Sequence, residues 1–238
     1  MRVRITFESD SEIKVSRDYH RTLQGLVYSL LDPETATDLH ENGSPFGKRR
    51  FKMFTFSRLI GTYQRYGGYT VFNHPVDFYI SSSNQGFLSE LCQNLTRNPN
   101  VELEVNKLHC KCILLEPAKE PTGKCVTLSP ITVYSTLYTG DRRKKTYYYS
   151  PYEPEFSTLI SRNLVKKSII LGRPVVGDVK LHVIRASEVV ESFKGTIIKA
   201  WKGCFSISGP KDLLSIAYDT GLGSKNSTGH GMIDFVRV

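Results

Sequence analysis

The chain has 238 residues, enough for one large domain or two of about 110–120 residues each. Its 39% hydrophobic and 23% charged content is that of an ordinary folded soluble protein, but the net charge of +9 is not ordinary and favours a polyanionic partner. No apolar run is long enough to span a bilayer, the N-terminus has no signal-peptide core, and the basic residues do not gather on one amphipathic helix, so nucleic acid leads over a membrane surface.

Residues 2–7 alternate Val3, Ile5 and Phe7 against Arg2, Arg4 and Thr6, which predicts a half-buried strand. Residues 19–31 place Leu23, Leu26, Val27, Leu30 and Leu31 on one helical stripe. Tyr28 falls well off that stripe, at a rim or facing a site. Asp32-Pro33-Glu34 starts a second helix, with Asp32 as its cap and Pro33 at the first helical position. Gly43 should end it just after His40, at a helix C-terminus that favours a cation. There His40 serves as a surface cap or as more than that.

A basic turn, Lys48-Arg49-Arg50, feeds a predicted strand over residues 51–57. In a regular strand Lys52 shares a face with Phe54 and Phe56, where a lysine either snorkels at the strand end or points at an anion. Gly67 and Gly68 mark a hairpin before strands over residues 69–72 and 76–81. A helix over residues 85–96 and one long strand over residues 101–115 follow. This first half is an elaborated βαββαβ unit.

Residues 116–121 hold two prolines and two glutamates and mark a boundary, giving domains over residues 1–118 and 119–238. Strands follow over residues 124–128 and 131–137. Between them and Tyr147-Tyr148-Tyr149 lies a basic turn with Arg142, Arg143, Lys144 and Lys145, suited either to RNA backbone contact and base stacking or to a solvated hairpin tip. A helix over residues 154–165, strands over 175–190 and 197–208, a helix over 211–220 and a last strand over 232–238 complete a second α+β domain.

Between that last helix and strand lies a glycine-rich segment with Gly221, Gly223, Lys225, Asn226, Gly229, His230 and Gly231. Helix–loop–strand is the reverse of the order in nucleotide-binding glycine loops, so the segment reads as backbone brought close to a neighbour or to an anion. The five cysteines, Cys92, Cys110, Cys112, Cys125 and Cys204, are odd in number and scattered. Cys110 and Cys112 lie beside His109, but no second pair exists to close a zinc site. Reduced, mostly buried cysteines in a cytoplasmic protein, with no metal and no cofactor, are the expectation.

Four segments together resemble the CRISPR-associated repeat-RNA endoribonucleases, the Cas-six family. They are residues 23–28 (Leu-Gln-Gly-Leu-Val-Tyr), 39–41 (Leu-His-Glu) with Gly43 close behind, 51–57, and the C-terminal glycine loop; residues 127–131 are a softer match. The resemblance spans essentially the whole chain. It implies two tandem ferredoxin-like domains, of the RRM-like βαββαβ kind, and metal-independent cleavage of CRISPR precursor RNA within its repeats. It also implies a catalytic set of Tyr28, His40 and Lys52, with Lys48, Arg49 or Arg50 as substitutes for Lys52. RNA contacts would fall on Lys48, Arg49, Arg50, on Arg142 to Lys145, and on the glycine loop including Lys225, Asn226 and His230. Repeat RNA is the implied partner; other effector-complex subunits and a second copy of the chain stay open. A non-catalytic RNA-binding subunit on the same fold is the rival reading.

Overall fold

In the computed structural model, which describes residues 1–47, 49–138, 140, 143–193 and 195–236, the alternation of Val3, Ile5 and Phe7 becomes strand β1 (Arg2–Glu8). After it come β2 (Ile13–Ser16), α1 (His20–Ser29) and α2 (Pro33–Glu41). Three short strands follow, β3 (Ser44–Phe46), β4 (Arg49–Phe51) and β5 (Phe54–Phe56). The hairpin of β6 (Tyr63–Tyr66) and β7 (Tyr69–Phe72) turns at Gly67 and Gly68, both in left-handed backbone. Then β8 (Val76–Ser82), α3 (Gln85–Arg97), β9 (Asn100–Leu103) and β10 (Asn106–Glu116) complete a unit formed by Met1–Ala118 together with Ser227–Gly229.

Five of these strands form an antiparallel sheet in the order β5-β8-β1-β10-β9, with β1 central. The crossover from β1 through α1 reaches β5, and β8 pairs between the two, the split βαβ arrangement of the ferredoxin-like fold. Leu23, Leu26 and Val27 of α1 and Phe87, Leu88, Leu91 and Leu95 of α3 belong to the same buried cluster as Ile5, Phe78 and Ile80. Their helical spacing is what turns one side of each helix to that core.

The second unit holds Lys119–Asn226 and His230–Val238. Its elements are β11 (Lys124–Thr127), the hairpin of β12 (Tyr134–Tyr138) and β13 (Lys144–Tyr148), α4 (Pro154–Ile170), β14 (Lys180–Phe193), β15 (Thr196–Ser208), α5 (Lys211–Thr220) and β16 (Ile233–Phe235). The sheet order β14-β15-β11-β16 again places the first strand between the third and the last. The architecture is α+β with two tandem ferredoxin-like folds.

Three local expectations change. Residues 101–115 are not one strand but a hairpin that turns at Glu104, which adopts left-handed backbone (φ 54°). No glycine signals that turn. Its stability comes from the Glu104 carboxylate, which accepts from the Ser16 amide (2.7 Å), the Ser16 hydroxyl (2.6 Å) and the Thr22 hydroxyl (3.2 Å). Residues 51–57 form two strands rather than one, because Met53 also takes left-handed backbone (φ 48°). Residues 175–179 precede β14 instead of starting it, since Gly172, Pro174 and the left-handed Gly177 keep the chain in a loop.

Glu104→Ala should therefore lower the unfolding free energy by about 2 kcal/mol, the worth of hydrogen bonds to a carboxylate. Chemical denaturation reads this directly, and Glu104→Gln should lose less because it keeps acceptor and shape.

Candidate active site

Helix α2 buries no residue fully, so polar pins set its position. Glu90 on α3 accepts from the Asp32 amide (2.8 Å) and the Thr35 hydroxyl (3.1 Å) at its start. Asp32 occupies the cap position, but its carboxylate accepts from Asn94 Nδ2 (3.2 Å) rather than capping the helix amides, which corrects that expectation. At the other end the amides of Asn42 and Gly43 both donate to the Asp38 carbonyl, and Arg50 Nη1 donates to the Asn42 carbonyl (3.1 Å). Gly43 is left-handed (φ 53°), and a Cβ there would lie 2.8 Å from the Phe51 carbonyl oxygen. Only glycine lets the chain leave α2 pressed against the end of β4. His40 is thereby held over the stretch that carries Lys52.

Lys52 is not on the Phe54 and Phe56 face of a strand. The break at Met53 frees it, and Met53's own carbonyl is held by the Ser82 hydroxyl (2.9 Å). Lys52 Nζ donates to Tyr28 Oη at 3.2 Å and sits 5.6 Å from the centre of its ring. The Tyr28 ring meets His40 edge-on at 5.9 Å and Phe54 at 6.2 Å. So the structure brings Tyr28, His40 and Lys52 together from α1, α2 and the β4–β5 junction. Burial pushes the Tyr28 phenol up to about 12. His40 is exposed and Lys52 half-buried.

The other candidates scatter. Lys48 and Arg142 lie outside the described residues. Arg49 and Arg50 are exposed on β4, and Arg50 is engaged at the end of α2, so Lys52 is the cation on Tyr28. Arg143, Lys144 and Lys145 are exposed at the β12–β13 hairpin. In its register Tyr134 faces Tyr148 and Tyr138 faces Lys144, on one side of the ribbon. Lys225 Nζ lies 5.5 Å from the centre of the Tyr134 ring on that same residue pair.

The glycine segment is largely committed to its own chain. Gly221, Gly223, Gly229, His230 and Gly231 are buried. The amides of Gly221, Leu222, Ser224 and Gly231 donate to the carbonyls of Ala217, Gly231, Thr132 and Pro130. A Cβ on Gly223 would lie 2.5 Å from the Thr132 oxygen, and one on Gly229 2.5 Å from the Phe56 ring. These glycines answer the demand for close packing, and their amides do not form an open phosphate cradle. His230 is fully buried against Glu191 (3.0 Å). Lys225 and Asn226 are half-buried; Asn226 Nδ2 donates to the Leu222 and His230 carbonyls, so it braces the loop.

Three supporting residues carry no assignment from the sequence. Gln24 Nε2 donates to the Ser227 carbonyl (2.7 Å), and Arg58 Nη1 to the Gly229 carbonyl (2.6 Å). Gln24 lies one helical turn before Tyr28, a spacing that puts both on one side of α1 and could have flagged it. Lys167 continues the apolar stripe of Phe156, Ile160 and Leu164, an unusual place for a lysine. Its buried Nζ donates to the Thr220 carbonyl (3.1 Å), the Gly221 carbonyl (2.8 Å) and Asn226 Oδ1 (2.9 Å). Burial pushes its pKa down to about 7, and the three acceptors, which match the three N–H bonds of the ammonium, oppose that shift.

Among the described residues no group of three or more His, Cys, Asp or Glu side chains gathers to hold a metal ion. All five cysteines are free, but only Cys125 is buried and Cys112 is exposed, so the expectation of mostly buried thiols fails. Among the described residues no helix is long and apolar enough to cross a membrane.

Two family models match the chain: "CRISPR-associated protein Cas6, N-terminal" over residues 12–113 and "CRISPR associated protein Cas6, C-terminal" over residues 115–235. A CRISPR-associated endoribonuclease Cas6 of Pyrococcus furiosus is 32% identical over 236 residues, covering 95% of this chain and 85% of the relative. A solved structure described as CRISPR associated protein Cas6 superposes with a TM-score of 0.84 at 23% identity, covering 99% of both chains. Another, described as a RAMP protein binding different RNA substrates, has a TM-score of 0.84 at 20% identity and covers 99% of both chains.

Lys167→Met should leave three oxygens without their donor and lower the unfolding free energy by about 2–4 kcal/mol. An unchanged denaturation midpoint would show that the ammonium does not hold the glycine segment.

Proposed function

Because the chain belongs to the CRISPR-associated Cas6 family, we propose that it is a metal-independent endoribonuclease that cuts CRISPR precursor RNA within its repeats. The observation that carries this reading is the cluster of Lys52 Nζ on Tyr28 Oη with the His40 ring against Tyr28. RNA supplies its own nucleophile, the 2′-hydroxyl, which attacks the adjacent phosphorus in line. The step needs an oriented hydroxyl, charge stabilisation on the phosphorane, and a proton for the leaving 5′-oxygen. It leaves a 2′,3′-cyclic phosphate and a 5′-hydroxyl.

Lys52 offers the cation for the phosphorane oxygens. His40, exposed near the end of α2, donates the proton to the 5′-oxygen. Tyr28 is unsuited to be the base: with its phenol near 12, roughly one molecule in 10⁵ is phenolate at pH 7. It orients the reacting group by hydrogen bonding, and the 2′ proton leaves to water. Arg143, Lys144, Lys145 and Lys225 supply positive charge for the RNA backbone, a role supported by the RNA binding named for the structural neighbour above.

His40→Ala should reduce single-turnover cleavage of labelled repeat RNA by about 10²–10⁴-fold while the RNA is still bound. Tyr28→Phe should cost only about tenfold, the worth of one orienting hydrogen bond; a loss equal to that of His40→Ala would make Tyr28 the base. Since Tyr28 stays neutral up to about pH 12, no rising limb of the pH–rate profile below that belongs to it. Full activity in EDTA is expected. An RNA with a single 2′-deoxy nucleotide before the scissile phosphate should be bound and left uncut, and normal cutting of it would make water the nucleophile. A wild-type protein that binds repeat RNA and returns it intact is the binding-only subunit instead.

A further inference from the structure

The three-stranded sheet β2-β7-β6 lies outside the site just described, and its two faces differ sharply. Register puts Ile13, Val15 and Phe72 on one face, and all three are buried. The opposite face carries Lys14, Gln64, Tyr66 and Tyr69. Tyr66 is 82% exposed and Tyr69 44% exposed, and the two sit directly across from each other beside the Gly67-Gly68 turn. Lys14 Nζ lies 4.2 Å from the centre of the Tyr69 ring. On the other face of the same hairpin Tyr63, 48% exposed, has the Arg65 guanidinium 5.8 Å from its ring centre. Aromatic ring and cation thus recur as neighbours, and residues 61–75 contain no Asp or Glu at all.

The platform is firmly mounted. The Lys14 amide donates to Asn106 Oδ1 (2.8 Å) while Asn106 Nδ2 donates to the Lys14 carbonyl (2.8 Å). Glu104 holds both the amide and the hydroxyl of Ser16, and the Phe72 ring meets Tyr19 at 6.2 Å and Tyr63 at 5.4 Å. Exposed tyrosines on a rigid sheet present flat apolar surface at little entropic cost. Beside them the Lys14 cation complements a polyanion whose bases are unstacked.

We propose that the Tyr66–Tyr69 face of the β6–β7 hairpin, with Lys14, is a second binding site that stacks unpaired bases of the RNA away from the scissile phosphate. This rests on the reading of the chain as an RNA-processing protein. Bases stack on Tyr66 and Tyr69, and Lys14 meets a phosphate between them. The site tolerates any base, because every base has a π-face, so it adds affinity and register without reading sequence.

The test uses the full chain and a single-stranded repeat RNA made uncleavable by a 2′-deoxy nucleotide at the cut site. Tyr66→Ala with Tyr69→Ala should raise its Kd about ten- to a hundredfold. Tyr66→Phe with Tyr69→Phe should keep wild-type affinity, since stacking needs the ring and not the hydroxyl. Lys14→Ala should lower the slope of log Kd against log salt by about 0.7, one phosphate contact to a single strand. Circular dichroism on the alanine pair checks that this exposed surface leaves the fold intact. Wild-type affinity in the alanine pair overturns the stacking site and leaves the cleavage reading standing, and the face then belongs to a protein partner. A wild-type chain that fails to bind the repeat RNA overturns both.

Discussion

One backbone constraint governs the candidate site: the chain leaving α2 at Gly43 runs against the Phe51 carbonyl at a distance that no Cβ would allow. That contact fixes the end of α2, and with it His40, against the stretch that delivers Lys52. A second constraint completes it. Met53, two residues after Phe51, is left-handed and costs about 1–3 kcal/mol of local strain. Its carbonyl is held by the Ser82 hydroxyl on β8, within the main sheet, so the strain is offset by the sheet that the site is built on. A continuous strand from residue 51 to residue 57 would have placed Lys52 on the same side as the buried Phe54 and Phe56. The break turns it to Tyr28 instead.

The glycine segment illustrates how one composition serves different physics. Glycine admits left-handed backbone and close approach, and both an anion cradle and a tight turn ask for these. Here the close approaches are to protein: the Thr132 and Leu222 carbonyl oxygens and the Phe56 ring. Lys167 and Asn226 then hold the segment from within. Of the basic residues in it, Lys225 retains partial exposure beside an aromatic ribbon that carries Lys144, whereas His230 is sealed against Glu191. Exposed positive charge thus lies on side chains around the segment, while several of its amides are committed to protein carbonyls.

Much of the fold is legible in the sequence because periodicity reports burial. The stripes of α1 and α3, the Gly67-Gly68 hairpin and the bounds of α5 are all written in residue spacing. Turns without glycine are not. Glu104 and Met53 take left-handed backbone through tertiary partners, Ser16 and Thr22 for the first and Ser82 for the second, and no local pattern announces them. Lys167 was obscured for the opposite reason: a charge on an apolar stripe reads as the end of a helix, when its partners are carbonyls 53 and 54 residues away. Tyr28, His40 and Lys52 could be named from residue type and resemblance, but their juxtaposition depends on Glu90, Gly43 and Met53.

That juxtaposition also redistributes the chemistry. The packing that positions Tyr28, with Phe54 on one side and His40 on another, removes water from its hydroxyl and so raises the cost of phenolate. A tyrosine made rigid by burial is a better hydrogen-bond post and a worse base. Lys52 sits half-buried beside that post, and His40 keeps contact with solvent through which protons can be exchanged. In the proposed mechanism rigidity and proton transfer are therefore divided between neighbours: the buried ring would supply geometry and the exposed imidazole the proton. For the proposed reaction, in which the 2′-hydroxyl is already part of the RNA, geometry and charge are most of what such a site must provide.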